Sequence, residues 1–165
     1  MEYSEKVYNE AKMVAFLAHK GHTYDIFPYE KHLEDVVDIV KKFGYSGKYV
    51  VGAYLHDSIE DANLSYNKIK KAFGIEVAEI VYAVTDELGR NREEKKAKTY
   101  PKIKANSDSL IVKLADRIAN IEHGIRMGNE KKTKMYREEF PKFKEELYKV
   151  GQCDRMWDYL EKLLG

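Results

Sequence analysis

The sequence predicts an all-α protein that folds as one helical domain. Apolar residues recur three or four positions apart along nearly the whole chain, which is the spacing of helices. Only three prolines and ten glycines interrupt the 165 residues, and no alternating run is long enough for a strand. A chain of this length that is 44% hydrophobic suits one core, so we expect a single domain over residues 1–165.

The first half of the chain predicts four helices with identifiable ends. The first two should stop at Gly21 and Gly44, because glycine readily adopts the left-handed conformation that ends a helix. Ser46 and Ser65 are placed to cap the third and fourth helices at their N-termini. We expect the third helix to continue without a break through Ile59.

The second half predicts further helices and a helical tail. One apolar stripe runs through residues 77–84 and another through residues 111–121. The C-terminal tail, residues 130–164, has the same spacing, and Pro141 should break or kink it because proline cannot donate a backbone hydrogen bond.

Composition excludes several classes of protein. Lys plus Arg is 29 and Asp plus Glu is 28, a net charge of +1, so the chain is not globally built to bind nucleic acid or an acidic membrane. The single cysteine, Cys153, excludes an intramolecular disulfide and a cysteine-rich metal site. No stretch has the ~18 apolar residues of a membrane span, and the N-terminus has no apolar signal core. We expect a cytoplasmic location.

The segment from Leu55 to Asp61 concentrates groups that bind metals or carry protons. His56 and Glu60 are four residues apart, as are Asp57 and Asp61, so on one helix these side chains share a surface. Three carboxylates at this spacing repel one another unless a cation, hydrogen bonds or raised pKa values offset the repulsion. The alternative is an exposed acidic helix end with an incidental histidine.

Two distant residues could join this segment. His32 opens a predicted helix, where it could also be a simple cap or surface residue. Asp116 lies beside core positions of an apolar helix, and a carboxylate there needs a partner, because burying it unpaired is costly. Lys113 or Arg117 could be that partner; metal coordination is the functional interpretation.

The ordered set of His32, then His56-Asp57, then Asp116 resembles the metal-binding motifs of the HD-domain metal-dependent phosphohydrolases. The chain is most similar to the alarmone hydrolases of the RelA/SpoT type and their small stand-alone relatives. The resemblance covers roughly residues 11–123, with the helical tail after it. It rests on Ala18-His19-Lys20-Gly21 with Pro28-Tyr29-Glu30-Lys31-His32, on residues 54–61 with their "LHD…ED" pattern, on Phe73-Gly74, on Val84-Thr85-Asp86 and on residues 112–120.

The resemblance implies a metal site formed by His32, His56, Asp57 and Asp116. Two imidazoles and two carboxylates suit Mn²⁺, with Fe²⁺, Zn²⁺ and Mg²⁺ as competitors. Glu60 and Asp61 match the acidic pair that the family uses beside the metal, where one of them positions or deprotonates water. We favour Glu60 as the base, because it lies four residues from His56.

The substrate-binding residues follow the family less closely. Asn120 matches an asparagine that contacts the nucleoside, and Tyr29 matches a pocket tyrosine. Thr23 and Tyr24 stand where the alarmone hydrolases usually have a basic pair that contacts the guanine nucleotide. Tyr24 could instead offer its ring for a base to stack on.

A basic segment could supply the missing charge. Seven basic and two acidic residues lie between Gly89 and Lys104, a local charge of +5. Arg90 and Arg92 are our candidates for binding phosphate, since guanidinium groups suit phosphate geometry. The alternative is a solvated basic loop and helix. His123, near the end of a helix, is expected at the surface.

We therefore expect a metal-dependent phosphohydrolase that acts on a nucleotide, foremost an alarmone-type 3′-pyrophosphohydrolase. A phosphatase on another nucleotide and a non-catalytic nucleotide-binding module are the alternatives. The sequence leaves open whether the chain forms a homo-oligomer.

Overall fold

The computed structural model describes all 165 residues and confirms the all-α class. Beyond ten helical segments it contains one two-residue β-pair, which the sequence did not predict. No helix has the combination of length and apolarity needed to cross a membrane. The elements in chain order are α1 Glu5–Ala18, β1 Thr23–Tyr24, β2 Phe27–Pro28, α2 Tyr29–Lys42, α3 Lys48–Leu55, α4 Ser58–Asp61, α5 Tyr66–Phe73, α6 Ile75–Val84, α7 Arg92–Ala105, α8 Ser107–Arg126, α9 Glu130–Leu147 and α10 Asp154–Leu164.

Helix α8, the longest at 20 residues, lies at the centre of the bundle. It packs against α2, α3, α6, α7, α9 and α10. Leu114, Ala115 and Ile118 are fully buried along it, as the apolar stripe predicted. Asp116 therefore lies on the helix at the centre of the core.

Most predicted helix ends are confirmed. Gly21 and Gly44 follow α1 and α2 with φ of 84° and 86°, and the Ser65 side chain accepts a hydrogen bond from the N–H of Lys68 at the start of α5. The prediction that Ser46 caps α3 is wrong. Gly47, with φ of 63°, occupies the cap position without a side-chain hydrogen bond.

The predicted uninterrupted helix through Ile59 is wrong, because the chain leaves the helix between α3 and α4. Asp57 has φ of −100° and ψ of 1°, outside helical values. The Ser58 hydroxyl donates to the Leu55 carbonyl at 2.6 Å and so satisfies a carbonyl that the break would leave free. His56 and Asp57 thus lie at the corner between two helices.

The C-terminal tail is helical and packs on the bundle. Helix α9 is not broken at Pro141, which lies inside it. Phe143 and Leu147 follow the proline and are buried. Their packing offsets the loss of stability caused by the backbone hydrogen bond that proline cannot make. Trp157 of α10 packs against Phe143 with ring centroids 5.3 Å apart.

The β-pair is a tight antiparallel turn that precedes α2. Thr23 pairs with Pro28 and Tyr24 with Phe27. Asp25, in the turn, has φ of 56°, a left-handed conformation that aspartate tolerates better than most residues. The turn holds the Tyr24 ring against His32 at the start of α2.

Candidate active site

His32, His56, Asp57 and Asp116 converge, although they come from three separate parts of the chain. The first lies in the first turn of α2, the next two at the α3–α4 corner, and the last in the middle of α8. The His32 Nε2 atom lies 3.0 Å from Asp116 Oδ1 and 3.3 Å from His56 Nε2. The His56 Nε2 atom lies 3.0 Å from Asp57 Oδ2 and 3.3 Å from Asp116 Oδ1.

The local structure directs the His56 ring toward this cluster. The Nδ1 atom of His56 is 2.7 Å from the carbonyl of Ala53, one turn earlier, so Nδ1–H donates to it. In the neutral ring this tautomer leaves the Nε2 lone pair facing His32 and the two carboxylates. A ring held by a backbone carbonyl in this way is the usual arrangement of a metal-binding histidine.

The electrostatics of the cluster favour positive charge at its centre. Burial by itself disfavours the imidazolium, yet Asp57 and Asp116 together hold the pKa of His56 well above its usual value. Burial raises the pKa of Asp57, but His56 more than reverses this and lowers the pKa to about 2. The buried nitrogen and oxygen donors therefore fit a divalent cation, which would supply that charge.

Glu60 and Asp61 extend the acidic cluster from α4. Carboxylate oxygens of Asp57, Glu60 and Asp61 lie within 4.8 Å of one another. The Glu60 Oε1 atom accepts a hydrogen bond from the N–H of Asp86 at 2.6 Å, which holds this carboxylate in place. Burial, and then neighbouring carboxylates, raise the pKa of Asp61. Glu60 and Asp61 lie near the cluster although the helix is interrupted at Asp57. The four-residue spacing on one continuous helix, from which we predicted their position, is therefore not what brings them there.

The two tyrosines expected to bind substrate contact the cluster itself. The Tyr29 hydroxyl donates to Asp57 Oδ2, and the Tyr29 ring stacks on His19 at a centroid distance of 4.5 Å. The Tyr24 ring stacks on His32, also at 4.5 Å and with 18° between the planes. One face of Tyr24 is therefore covered by His32 rather than open to a base.

Asn120 uses both ends of its carboxamide within the chain. Its Nδ2 atom donates to the backbone carbonyl and to Oδ1 of Asp116, each at 2.9 Å. Its Oδ1 atom accepts from the Tyr24 hydroxyl at 2.5 Å, and the Lys132 ammonium donates to that hydroxyl at 2.6 Å. These bonds link α9, the β-pair and α8 into one network that ends on Asp116.

A polar cavity of about 180 Å³ opens beside the cluster, and basic side chains line part of it. The Lys96 ammonium lies 2.7 Å from Asp86 Oδ2, and Lys113 lies 3.7 Å from Asp116 Oδ2. The basic lining residues are Arg92, Lys96, Lys113 and Arg117. The cavity lining thus combines carboxylates and imidazoles with four cationic groups, and two of these, Lys96 and Lys113, lie beside carboxylates.

The structure separates the two arginines expected to bind phosphate. Arg92 lines the cavity and donates from Nε to Glu139 Oε1 at 2.5 Å. Arg90 does not line it: its side chain is 90% exposed and its Nε pairs with Glu94 at 2.9 Å. The loop before α7 turns Arg90 outward, and the spacing of two residues gave no indication of this.

Sequence reasoning missed part of the site. The expectation that His123 lies at the surface is wrong: it is buried, its Nε2 is 3.0 Å from Asp25 Oδ2, and its ring lies 4.7 Å from that of Tyr24. Its position seven residues after Asp116 on one helix was a usable signal, because such residues share a face. Lys113 was considered only as a partner of Asp116, whereas it also faces the cavity.

Comparison with known proteins places these features in a family. The family model described as "HD domain" matches residues 11–143. A guanosine-3′,5′-bis(diphosphate) 3′-pyrophosphohydrolase of Aquifex aeolicus is 31% identical over 116 residues, which are 67% of this chain and 16% of that protein. The enzyme of the same name from Haemophilus influenzae is 33% identical over 117 residues, 66% of this chain and 17% of that protein. The chain thus spans about a sixth of the length of these curated relatives.

Solved structures share the fold. A metazoan ortholog of SpoT, described as hydrolysing ppGpp, superposes with a TM-score of 0.80 over 98% of this chain and 95% of that one, at 22% identity. A protein of Listeria monocytogenes superposes with a TM-score of 0.67 over 81% of this chain and 95% of that one, also at 22% identity. With homology to the SpoT-type hydrolases and a family match over most of its length, the chain belongs to the HD-domain family.

Proposed function

We propose that this protein is a metal-dependent hydrolase that removes the 3′-pyrophosphate from a guanosine polyphosphate. The observation that carries the proposal is the convergence of two imidazole nitrogens and two carboxylates, His32, His56, Asp57 and Asp116, beside a cavity lined by basic side chains. The names of the relatives from Aquifex aeolicus and Haemophilus influenzae support the choice of substrate.

The four converging side chains would hold the metal. Mixed imidazole and carboxylate donors suit Mn²⁺, with Fe²⁺, Zn²⁺ and Mg²⁺ as competitors, and without a thiolate the site has no need of a thiophilic metal. Such a cation polarises a phosphoryl oxygen and makes water more acidic. Tyr29 would orient the Asp57 carboxylate through its hydrogen bond, and Asn120 would do the same for Asp116.

The acidic pair would handle the proton, and basic residues that line the polar cavity would bind the phosphates. Glu60, fixed through one oxygen by the Asp86 N–H, would take a proton from the attacking water with its other oxygen, with Asp61 as the neighbouring candidate. Arg92 and Lys96 would bind the pyrophosphate, so that its negative charge is offset as the bond breaks. One water is consumed, the 3′ phosphoester bond breaks, and guanosine 5′-diphosphate and pyrophosphate leave.

The proposal is tested by hydrolysis assays on metal-stripped protein. Mn²⁺, Fe²⁺, Zn²⁺ or Mg²⁺ is added back singly, and guanosine 3′,5′-bis(diphosphate) is supplied as substrate. Anion-exchange chromatography should show guanosine 5′-diphosphate and pyrophosphate in equal amounts, with the highest rate in Mn²⁺. Release of single phosphates, or turnover only of other nucleotides, would contradict the proposed reaction.

A further inference from the structure

The loop between α6 and α7, residues 85–91, supplies the one hydrogen bond that the structure gives the Glu60 side chain. Glu60 is exposed to solvent, so packing does not fix its carboxylate. The bond from the Asp86 N–H, at 2.6 Å, therefore sets the orientation of the group that we propose as the base. How precisely Glu60 is placed depends on how firmly the loop holds Asp86.

Regular backbone structure does not hold this loop. Residues 86–90 donate none of their backbone N–H groups to a backbone carbonyl. The loop instead lies directly on the first turn of α7, because a Cβ atom at Gly89 would be 2.9 Å from the backbone nitrogen of Lys95. The loop must therefore take its position from α7, and side chains of α7 supply the contacts.

Thr99 of α7 binds the loop through a buried hydroxyl. Its side chain is fully enclosed in the fold. The Thr99 Oγ1 atom donates to the Lys95 carbonyl at 2.8 Å, one turn earlier in the same helix. Because its proton is used there, the oxygen is left as an acceptor, and it accepts from the Glu87 N–H at 3.0 Å.

Lys102, one turn further along α7, binds the other side of the loop. Its ammonium donates to the carbonyls of Tyr82 and Thr85 at 3.0 and 2.6 Å and pairs with Glu87 Oε1 at 2.9 Å. Three acceptors thus meet the three N–H groups of this ammonium. The charge also lies at the C-terminus of α6, where the helix dipole favours a cation.

These contacts fix the peptide groups on both sides of Asp86. The carbonyl of Thr85 belongs to the same peptide group as the Asp86 N–H, and the Glu87 N–H belongs to the next one. A trans peptide group is planar, with its C=O and N–H pointing in opposite directions. By fixing the Thr85 oxygen, Lys102 therefore fixes the direction in which the Asp86 N–H points.

We propose that Thr99 and Lys102 are positioning residues that direct the Asp86 N–H at Glu60 and thereby orient the proposed base. The inference rests on the proposed function. Neither residue lines the polar cavity, so their effect on the reaction passes through the loop. Part of the basic segment found in the sequence thus holds a loop instead of binding phosphate, and Lys98, which donates to the Leu88 carbonyl at 3.1 Å, adds to this.

Turnover at saturating guanosine 3′,5′-bis(diphosphate) in Mn²⁺ tests the proposal in two backgrounds. Thr99→Val and Lys102→Met are made in the wild type and in Glu60→Gln. Thr99→Ser, which keeps the hydroxyl, is the rescue variant. Lys104→Met is the matched control, because Lys104 is an exposed lysine of α7 that pairs with Glu146 and does not contact the loop. Circular dichroism and Mn²⁺ titration check folding and metal affinity.

Misplacing a catalytic group by about 1 Å can cost as much as 10²-fold in rate, so we expect Thr99→Val and Lys102→Met each to lower kcat roughly tenfold. Thr99→Ser and Lys104→Met should stay within about twofold of wild type, and every variant should keep its Mn²⁺ affinity. In Glu60→Gln the same two changes should add less than about twofold, since the base that they position is gone. Equal losses in both backgrounds, or unchanged kcat in both single variants, would overturn the proposal.

The Asp86 amide gives a second readout that needs no turnover. In the ¹⁵N–¹H spectrum of the protein in Mg²⁺, a bond to a carboxylate should shift this resonance downfield, and Glu60→Gln should move it upfield. Thr99→Val and Lys102→Met should also move it upfield, whereas Lys104→Met should not. An unmoved resonance in both loop variants would overturn the positioning role. A wild type that does not hydrolyse the pyrophosphate would contradict the proposed function, and the amide shifts would still decide whether Thr99 and Lys102 hold Asp86 on Glu60.

Discussion

Replacing Lys96 by methionine should raise the free energy of unfolding at neutral pH. The Lys96 side chain is buried in α7 and pairs with Asp86. Burial first, and then the charge of Lys113, lower the pKa of Lys96 to about 8, while Asp86 acts in the opposite direction. Arg92 on the same helix and Glu139 on α9 are the other charged groups that act on it or feel its charge. The folded protein therefore holds this ammonium at a cost in stability.

The sign and size of the effect follow from linkage. Between pH 8 and 10.5 the unfolded chain binds the Lys96 proton and the folded protein does not, so stability rises with pH through this window. Below pH 8 both states are protonated and the full cost is present. At 1.36 kcal/mol for each pH unit, the difference between 10.5 and about 8 amounts to roughly 3 kcal/mol. Methionine removes this cost but leaves Asp86 without its closest partner, which costs about 1–3 kcal/mol, so we expect a net gain of at most about 2 kcal/mol.

Urea denaturation followed by circular dichroism at pH 7 and pH 9.5 measures the effect. Wild type should gain stability between the two values, and Lys96→Met should lose that part of the dependence. Lys95→Met, at an exposed position one residue away, is the matched control and should titrate like wild type. A Lys96→Met protein less stable than wild type at pH 7 would refute the reasoning, because the Lys96–Asp86 pair would then stabilise the fold.

Three further predictions concern the site. Glu60→Gln should lower kcat by roughly 10²–10⁴ with metal content and fold retained, and near-normal turnover would assign the proton transfer to Asp61. Asp116→Asn should lose Mn²⁺ affinity in equilibrium titration by a factor of about ten or more, whereas an unchanged affinity would remove Asp116 from the ligand set. Arg92→Ala should raise KM for guanosine and adenosine 3′-pyrophosphates by a similar factor, because a phosphate contact does not read the base. Arg90→Ala is its control and should leave both KM values unchanged; a strong guanine preference that survives Arg92→Ala would show that other contacts select the base.

The positions of most helices, and which residues converge, could be predicted from the sequence. Apolar spacing depends on which residues line one face of a helix, and that face is buried as predicted along α8. Ser65 and Gly44 act through neighbours only a few residues away, so their effects are readable locally. The order of His32, His56-Asp57 and Asp116 identified the set that meets at one point.

The helix break at Asp57 and the arrangement of the substrate side required the tertiary structure. The spacing in the Leu55-to-Asp61 segment predicts a continuous helix, whereas Asp57 leaves the helical conformation in the folded structure. Arg90 and Arg92 are equivalent in the sequence, but only Arg92 meets Glu139, which lies 47 residues later.

The hydrogen bonds that use both ends of Asn120 show the same division. Tyr24 lies 96 residues from Asn120 and 108 from Lys132, and these three groups meet only because the β-pair and α9 both pack beside the part of α8 that carries Asp116 and Asn120. Apolar periodicity and helix capping depend on residues close together in the chain, so they can be predicted from the sequence. Which partner a polar side chain finds depends on distances between remote segments, and these exist only once the helices have packed.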